Sequence, residues 1–102
     1  MKKKKKIFFI TVGRSDYLRQ LSIINYLKNI NNIYLKILIT GSHSYKLYGE
    51  TLNDIKKNNV SWENCCPKKY SLKTKDISSN LNECLARIDK IIKKDCPDIL
   101  VL

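Results

Sequence analysis

The stretch that decides the fold is IFFITVGRSD, residues 7–16. Its first six residues form an uninterrupted β-prone run, which is typical of a strand covered on both faces in a parallel sheet. The run ends at Gly13, and Ser15 and Asp16 then offer helix N-caps. We therefore predict a central strand over residues 7–12 that passes directly into a helix.

The rest of the chain continues this alternation of strand and helix. In chain order we predict a helix from Ser15 or Asp16 to a stop at 29–32, a strand at 34–40, a helix at 51–58, a short edge strand at 60–62, a loop at 63–75, a long helix at 76–95 that ends before Cys96-Pro97, and a strand at 98–102. Such alternation favours right-handed crossovers and a parallel sheet. The predicted fold class is α/β, a Rossmann-like parallel sheet with helices on both faces over residues 7–102, after a disordered lysine-rich lead-in at residues 1–6.

Length and hydropathy limit the class of protein. A chain of 102 residues has room for one domain. Its longest uncharged apolar run has six residues, far fewer than the ~20 needed to cross a bilayer, and no small-residue cleavage site follows the charged start. We therefore expect a cytoplasmic chain with no membrane attachment.

The net charge of +11 raises the question of a polyanionic partner. Lysine supplies 17 of the 20 basic residues, and Lys, Asn and Ile together fill 41 of the 102 positions, as adenine- and thymine-rich codons would produce. Proteins that bind nucleic acid specifically use arginine and stacking aromatic residues that lie close together. We therefore predict a solvated basic surface and no specific nucleic-acid partner. The alternative from another functional class is a basic binding module whose residues 2–6 contact RNA or anionic lipid.

The metal-ligating residues are few and scattered. The four cysteines, Cys65, Cys66, Cys84 and Cys96, include no C-x-x-C pair, and His43 is the single histidine. Neither a disulfide framework nor a zinc site has that spacing. We predict reduced thiols, no metal and no cofactor.

The two loops that follow the first two strands carry the candidate site residues. Residues 12–17 lack both the dinucleotide-binding motif G-x-G-x-x-G and the phosphate-binding loop G-x-x-x-x-G-K-[ST]. The usual kinds of NAD or ATP site are therefore not predicted here. Arg14 combines a forked donor with a helix N-terminus, which suits a phosphate or carboxylate; its alternative is a surface ion pair with Asp16. His43 is either a hydrogen-bonded loop histidine or a catalytic group. Ligands bind beyond the carboxyl ends of strands in such sheets, which places both loops at the expected site.

Three blocks of sequence resemble a known family. TVGRSDY at residues 11–17, ITGSH at residues 39–43 with YGET at residues 48–51, and CPDILVL at residues 96–102 occur in the order and at the spacing found in the N-terminal part of the UDP-N-acetylglucosamine 2-epimerase family. The chain is most similar to the hydrolysing branch of that family. The resemblance covers nearly the whole chain.

The resemblance implies a two-domain, glycosyltransferase-B-like (GT-B) enzyme that closes on a nucleotide sugar. In the hydrolysing branch the sugar C2 proton is removed, the nucleoside diphosphate leaves from C1, and water adds to give free N-acetylmannosamine. Carried over to this sequence, Arg14 would contact the diphosphate and His43 would line the sugar side of the cleft. Asp16 matches the acidic position of the first block, as a first-turn helix cap or as a ligand contact.

Two departures from the family pattern matter. Leu18 stands where relatives often have Gly or Ser, and the chain stops at Leu102, before the family's further acids and histidine. The catalytic acid and base are therefore expected beyond Leu102, because a lone arginine and histidine cannot supply both roles. We interpret the chain as an N-terminal fragment, inactive alone, of a homo-oligomeric epimerase whose C-terminal domain is missing. The close alternative is a half-domain of a GT-B glycosyltransferase.

Overall fold

The computed structural model describes residues 4–12, 14–40, 52–65 and 74–102, and these form an all-parallel sheet with three helices. Its elements in chain order are β1 (Lys5–Thr11), α1 (Arg14–Leu27), β2 (Ile33–Ile39), α2 (Leu52–Lys57), β3 (Ser61–Asn64), α3 (Thr74–Asp95) and β4 (Ile99–Val101). The four strands lie in the order β3-β2-β1-β4. The two apolar runs of the sequence therefore form the two central strands.

Alternate side chains of the central strands supply two separate cores, one on each face of the sheet. On one face Phe9 and Ile37 pack with Tyr17 and Ile24 of α1 and with Ile55 of α2. The opposite core consists of residues from β1, β2, α3 and the end of β3: Phe8, Leu38, Cys65 and Ile91, with Ile10, Cys84 and Ile88 packed against them. This arrangement confirms the predicted Rossmann-like α/β fold with helices on both faces.

The boundaries of β2, α2 and β4 lie within one residue of the prediction, and three other boundaries differ by two residues. β1 begins at Lys5, so Lys5 and Lys6 belong to the sheet and not to the lead-in predicted for residues 1–6; residues 1–3 lie outside the described part of the chain. The Lys5 N–H donates to the Asn32 carbonyl, and the Lys6 N–H donates to the Asp98 carboxylate, each at 2.8 Å. These backbone partners extend the strand despite its charged side chains; Lys5 is exposed, and the Lys6 ammonium donates to the Asp95 carbonyl at 2.8 Å.

The other two differences concern the third strand and the long helix. β3 covers Ser61–Asn64 because its pairing with β2 runs from Lys36–Ser61 to Ile39–Asn64, so it lies further along the chain than the predicted 60–62. α3 begins at Thr74, within the segment predicted as a loop at 63–75; residues 66–73 of that segment lie outside the described residues.

Candidate functional site

The carboxyl ends of β1 and β2 meet at one level of the sheet. Thr11 pairs with Ile39 in the last rung of their ladder. Thr40 then donates to the Thr11 carbonyl twice, from its N–H at 2.9 Å and from its hydroxyl at 3.0 Å. Both threonines are buried. The residues that precede the two loops are therefore held side by side at the end of the sheet.

β3 and α1 complete this edge of the sheet. The Cys65 N–H donates to the Ile39 carbonyl at 2.7 Å, so the chain leaves β3 beside the end of β2. α1 begins at Arg14, three residues after the end of β1. Unpaired N–H groups and the positive end of the helix dipole make such a terminus favourable for an anion. We refer to the ends of β1, β2 and β3 with the first turn of α1 as the carboxyl edge.

Of the three predicted site residues, Arg14 and Asp16 lie in the first turn of α1, at this edge, and His43 lies outside the described residues. Arg14 is the first residue of α1, but its side chain lies outside the described part of the structure, as does all of His43. Asp16 lies in the first turn of α1, where a carboxylate complements the helix dipole. Its described ion pair is with Arg19, at 3.6 Å; the Arg19 side chain is largely exposed and that of Asp16 is half-buried. The roles predicted for Arg14 and His43 remain predictions.

Gln20 is a buried polar residue at this edge that the sequence analysis did not single out. Its side-chain amide donates to the Ile10 carbonyl at 3.2 Å, near the end of β1. Its other amide atom, Oε1, is buried without a hydrogen-bond partner among the described residues. Its burial could have been predicted from the sequence, because Gln20 lies three residues after Tyr17, on the apolar side of the predicted helix.

Tyr17 belongs to the first motif block, and the structure places it in the core beneath the site. Its ring is buried, and its hydroxyl accepts a hydrogen bond from the Asn58 side-chain amide at 3.3 Å. Burial raises the pKa of Tyr17, the Asn58 hydrogen bond lowers it, and the charge of Asp54 raises it, with a net upward shift. Leu18, the departure from the family pattern, is more than half exposed. The block's tyrosine therefore anchors α1 to α2.

Metal and membrane features were searched over the described residues. No group of three or more His, Cys, Asp or Glu side chains there could hold a metal ion. Cys65, Cys84 and Cys96 are reduced thiols, and Cys66 falls outside the described ranges. Among the helices described, none combines the length and apolar character that a membrane span requires.

Comparison with known proteins gives a match over nearly the whole chain. The chain is 26% identical over 99 residues to the UDP-N,N'-diacetylbacillosamine 2-epimerase (hydrolyzing) of Legionella pneumophila. The match covers 96% of this chain and 26% of the relative, so the chain spans about a quarter of the length of the protein it matches. No family model matches the chain. At a coarse level the similarity supports a relationship to the hydrolysing UDP-sugar 2-epimerases.

Proposed function

We propose that this chain is the N-terminal part of a hydrolysing nucleotide-sugar 2-epimerase and forms one wall of its nucleotide-sugar cleft. One observation carries the proposal. The relative that matches along 99 residues is a hydrolysing UDP-sugar 2-epimerase. The residues that precede the first two motif loops, Thr11 and Thr40, are held together at the carboxyl edge of the sheet. Ligands bind at this edge in open parallel sheets.

The chemistry assigned to this wall is the binding of the diphosphate. Phosphate oxygens accept hydrogen bonds from free N–H groups at a helix N-terminus, and a guanidinium adds two charge-assisted bonds. Arg14, as the first residue of α1, is the proposed diphosphate contact. Asp16 is proposed as a first-turn helix cap, because its carboxylate pairs with Arg19 and would repel a phosphate.

The reaction proposed for the whole protein is an elimination followed by hydration. The C2 proton of the sugar is removed, the bond from C1 to the nucleoside diphosphate breaks, and water then adds to the unsaturated intermediate. His43 is proposed to line the sugar side of the cleft. The groups that transfer protons are proposed to come from a C-terminal domain, because each must reach the reacting carbon within hydrogen-bond distance.

The test is substitution of Arg14 in a protein that carries both halves of the cleft. Arg14→Ala is expected to weaken UDP-N-acetylglucosamine binding by about 1.5–3 kcal/mol, as loss of a charge-assisted hydrogen bond does. Isothermal titration calorimetry measures the affinity. Lys93→Ala is the matched control, because it removes one cation from an exposed pair on α3 with Asp89. His43→Ala is expected to lower turnover chiefly.

Two results would count against the proposal. Unchanged affinity in Arg14→Ala would return Arg14 to the surface ion-pair interpretation. Transfer of the sugar to an acceptor, in place of release of UDP and a free N-acetylmannosamine-type sugar, would favour the glycosyltransferase alternative.

A further inference from the structure

Three shallow grooves near the β3 edge of the sheet, lined by residues of β2, β3, α2 and α3, share one residue, Lys36. The first, of about 540 Å³, has Tyr34, Lys56 and Trp62 among its lining residues. A second, of about 400 Å³, is lined by Lys4, Lys6, Tyr34, Lys36 and Asp95. The third, of about 270 Å³, has Arg87, Lys90 and Lys94 among its lining residues. Neighbouring grooves share lining residues, so we treat them together as the Lys36 surface, which extends from α3 round the β3 edge to Lys56 and Trp62 on the α2 side of the sheet.

The Lys36 surface carries an excess of positive charge. Its two lining carboxylates, Glu63 and Asp95, each lie 3.3 Å from the Lys36 ammonium and are neutralised in part by it. Over the described residues, no carboxylate lies within ion-pair distance of the other lining lysines, which are Lys4, Lys6, Lys56, Lys90 and Lys94. The surface is therefore suited to a ligand with several regularly spaced negative charges.

Two aromatic rings lie among these lysines. Tyr34 and Trp62 are each 37% exposed, although large aromatic side chains are usually well covered. The Lys56 ammonium sits 5.3 Å from the centre of the Trp62 ring, and the Tyr34 ring packs edge-on against Phe8 at 6.3 Å. Each ring is thus held in place by a neighbour and still has an open part. Such rings can stack with a planar ligand.

We propose that the Lys36 surface binds single-stranded nucleic acid without sequence preference. Lysines that track a phosphate backbone, combined with aromatic rings on which successive bases stack, are the two requirements for such binding. An anionic bilayer is a less suitable partner, because Tyr34 and Trp62 line grooves and do not form an apolar face that could enter the bilayer.

Most of this surface lies away from the proposed sugar cleft. Lys4 precedes β1, Lys6 and Tyr34 lie at the starts of β1 and β2, and Lys56 lies at the end of α2, so these residues lie at the amino ends of the strands. Of the three grooves, the third alone extends to Glu63 and Asn64 at the end of β3. The cleft lies at the carboxyl ends of the strands. The two ligands are therefore expected to bind independently, and the inference does not rest on the proposed function.

The experiment uses the 102-residue chain and a 12-nucleotide oligouridylate. Trp62 is the chain's single tryptophan, so its own fluorescence reports stacking. We expect the oligonucleotide to quench that fluorescence, and the affinity to fall steeply between 50 and 200 mM salt. With a dye-labelled oligonucleotide and anisotropy detection, Trp62→Ala should weaken binding about fivefold or more, and Trp62→Phe should restore most of the loss.

Charge is tested separately from stacking. Combined Lys4→Gln, Lys90→Gln and Lys94→Gln, which leaves Lys56 over Trp62, should weaken binding and flatten its salt dependence. The control Lys93→Gln should do so far less, because Lys93 pairs with Asp89 and does not line the three grooves. Circular dichroism checks that each variant is folded.

Three outcomes would overturn the inference. The first is an affinity that is the same in Trp62→Ala as in the unchanged chain. The second is tighter binding to a blunt RNA duplex than to the single strand. The third is equal binding to phosphatidylserine vesicles, which would show a basic surface with no selection for bases. Arg14→Ala should leave oligonucleotide binding unchanged, so failure here and failure of the proposed sugar site are distinguishable.

Discussion

Lys36 shows how a single residue joins distant parts of the chain. It lies in a central strand with its side chain 14% exposed, and it reaches Glu63 of β3 and Asp95 of α3 at 3.3 Å each. Its ammonium also lies 5.7 Å from the centre of the Phe8 ring. Burial lowers the pKa of Lys36, but its hydrogen bonds and charge interactions with the two carboxylates outweigh burial, so the pKa is raised. The folded protein therefore favours the charged ammonium.

This arrangement predicts a pH-dependent contribution to stability. Lys36→Met should lower the free energy of unfolding by about 1–3 kcal/mol at pH 7, because both carboxylates lose their donor. Since the pKa is higher in the folded protein, this contribution is fully present below the unfolded value of 10.5 and is lost as pH rises through the folded value. Urea unfolding of both proteins from pH 7 to 11.5 measures the difference.

The exposed pair of Lys93 and Asp89 provides the comparison for Lys36. Lys93→Met should change stability by less than about 1 kcal/mol, the usual range for surface ion pairs. A difference between the unchanged chain and Lys36→Met that stays constant up to pH 11.5 would contradict the explanation by charge.

At the level of elements, α3 ends as predicted before Cys96-Pro97, but in a conformation that the sequence does not reveal. Cys96 has a φ of 49°, in the left-handed region, and its N–H donates to the Ile92 carbonyl at 2.8 Å. This position after a helix is usually occupied by glycine, because a Cβ atom there is unfavourable. The end of α3 is therefore a point of local backbone strain.

Replacement of this residue should relieve the strain. Cys96→Gly is expected to raise the free energy of unfolding by about 0.5–1 kcal/mol, the balance between removal of the Cβ clash and the greater freedom of glycine when unfolded. Cys96→Ala removes the thiol but keeps Cβ, so it should give no such gain. Thermal unfolding under reducing conditions compares the three proteins. An equal gain in Cys96→Ala would assign the effect to the thiol.

For the whole molecule, the two edges of the sheet differ. β3 carries Glu63 and lies beside Lys56, whereas β4 carries Ile99 and Leu100, which are 51% and 40% exposed. Within the described residues, β4 pairs with β1 and with no strand on its other side. An uncharged apolar edge of this kind is a template for pairing with another chain.

The 102-residue chain is therefore expected to self-associate through β4. Sedimentation velocity should show an average mass that rises with concentration, and Leu100→Lys should reduce this rise because a charged edge resists pairing. Tyr26→Lys adds the same charge at an exposed position on α1 and should have little effect. A monodisperse monomer that melts cooperatively above about 60 °C would contradict this expectation and the fragment interpretation together.

The sequence by itself determined the order and type of the elements. Apolar runs in β1 and β2 and the helical spacing of Tyr17, Leu21 and Ile24 predict the α/β alternation. The repeat of each element type decides which side chains share a face, so the buried positions can be recognised from the local sequence. The same reasoning placed the motif loops at strand ends. It did not test the roles of Arg14 and His43, whose side chains lie outside the described structure.

Only the tertiary structure decided the strand order and the interactions made across it. The Lys6 backbone N–H donates to the Asp98 carboxylate, Lys36 forms an ion pair with Asp95, and Lys56 lies over Trp62. Local periodicity marks none of these partners. In the sequence, the lysines are scattered and were interpreted as solvated residues, with no aromatic residues grouped among them. Parallel pairing of β2 with β3 sets Trp62 beside Ile37 at the edge of the sheet, and Trp62 and Tyr34 both line one groove. Contacts between residues far apart in sequence form only when the helical crossovers bring the strands side by side. The composition could therefore indicate the net positive charge but not which lysines lie together on the surface.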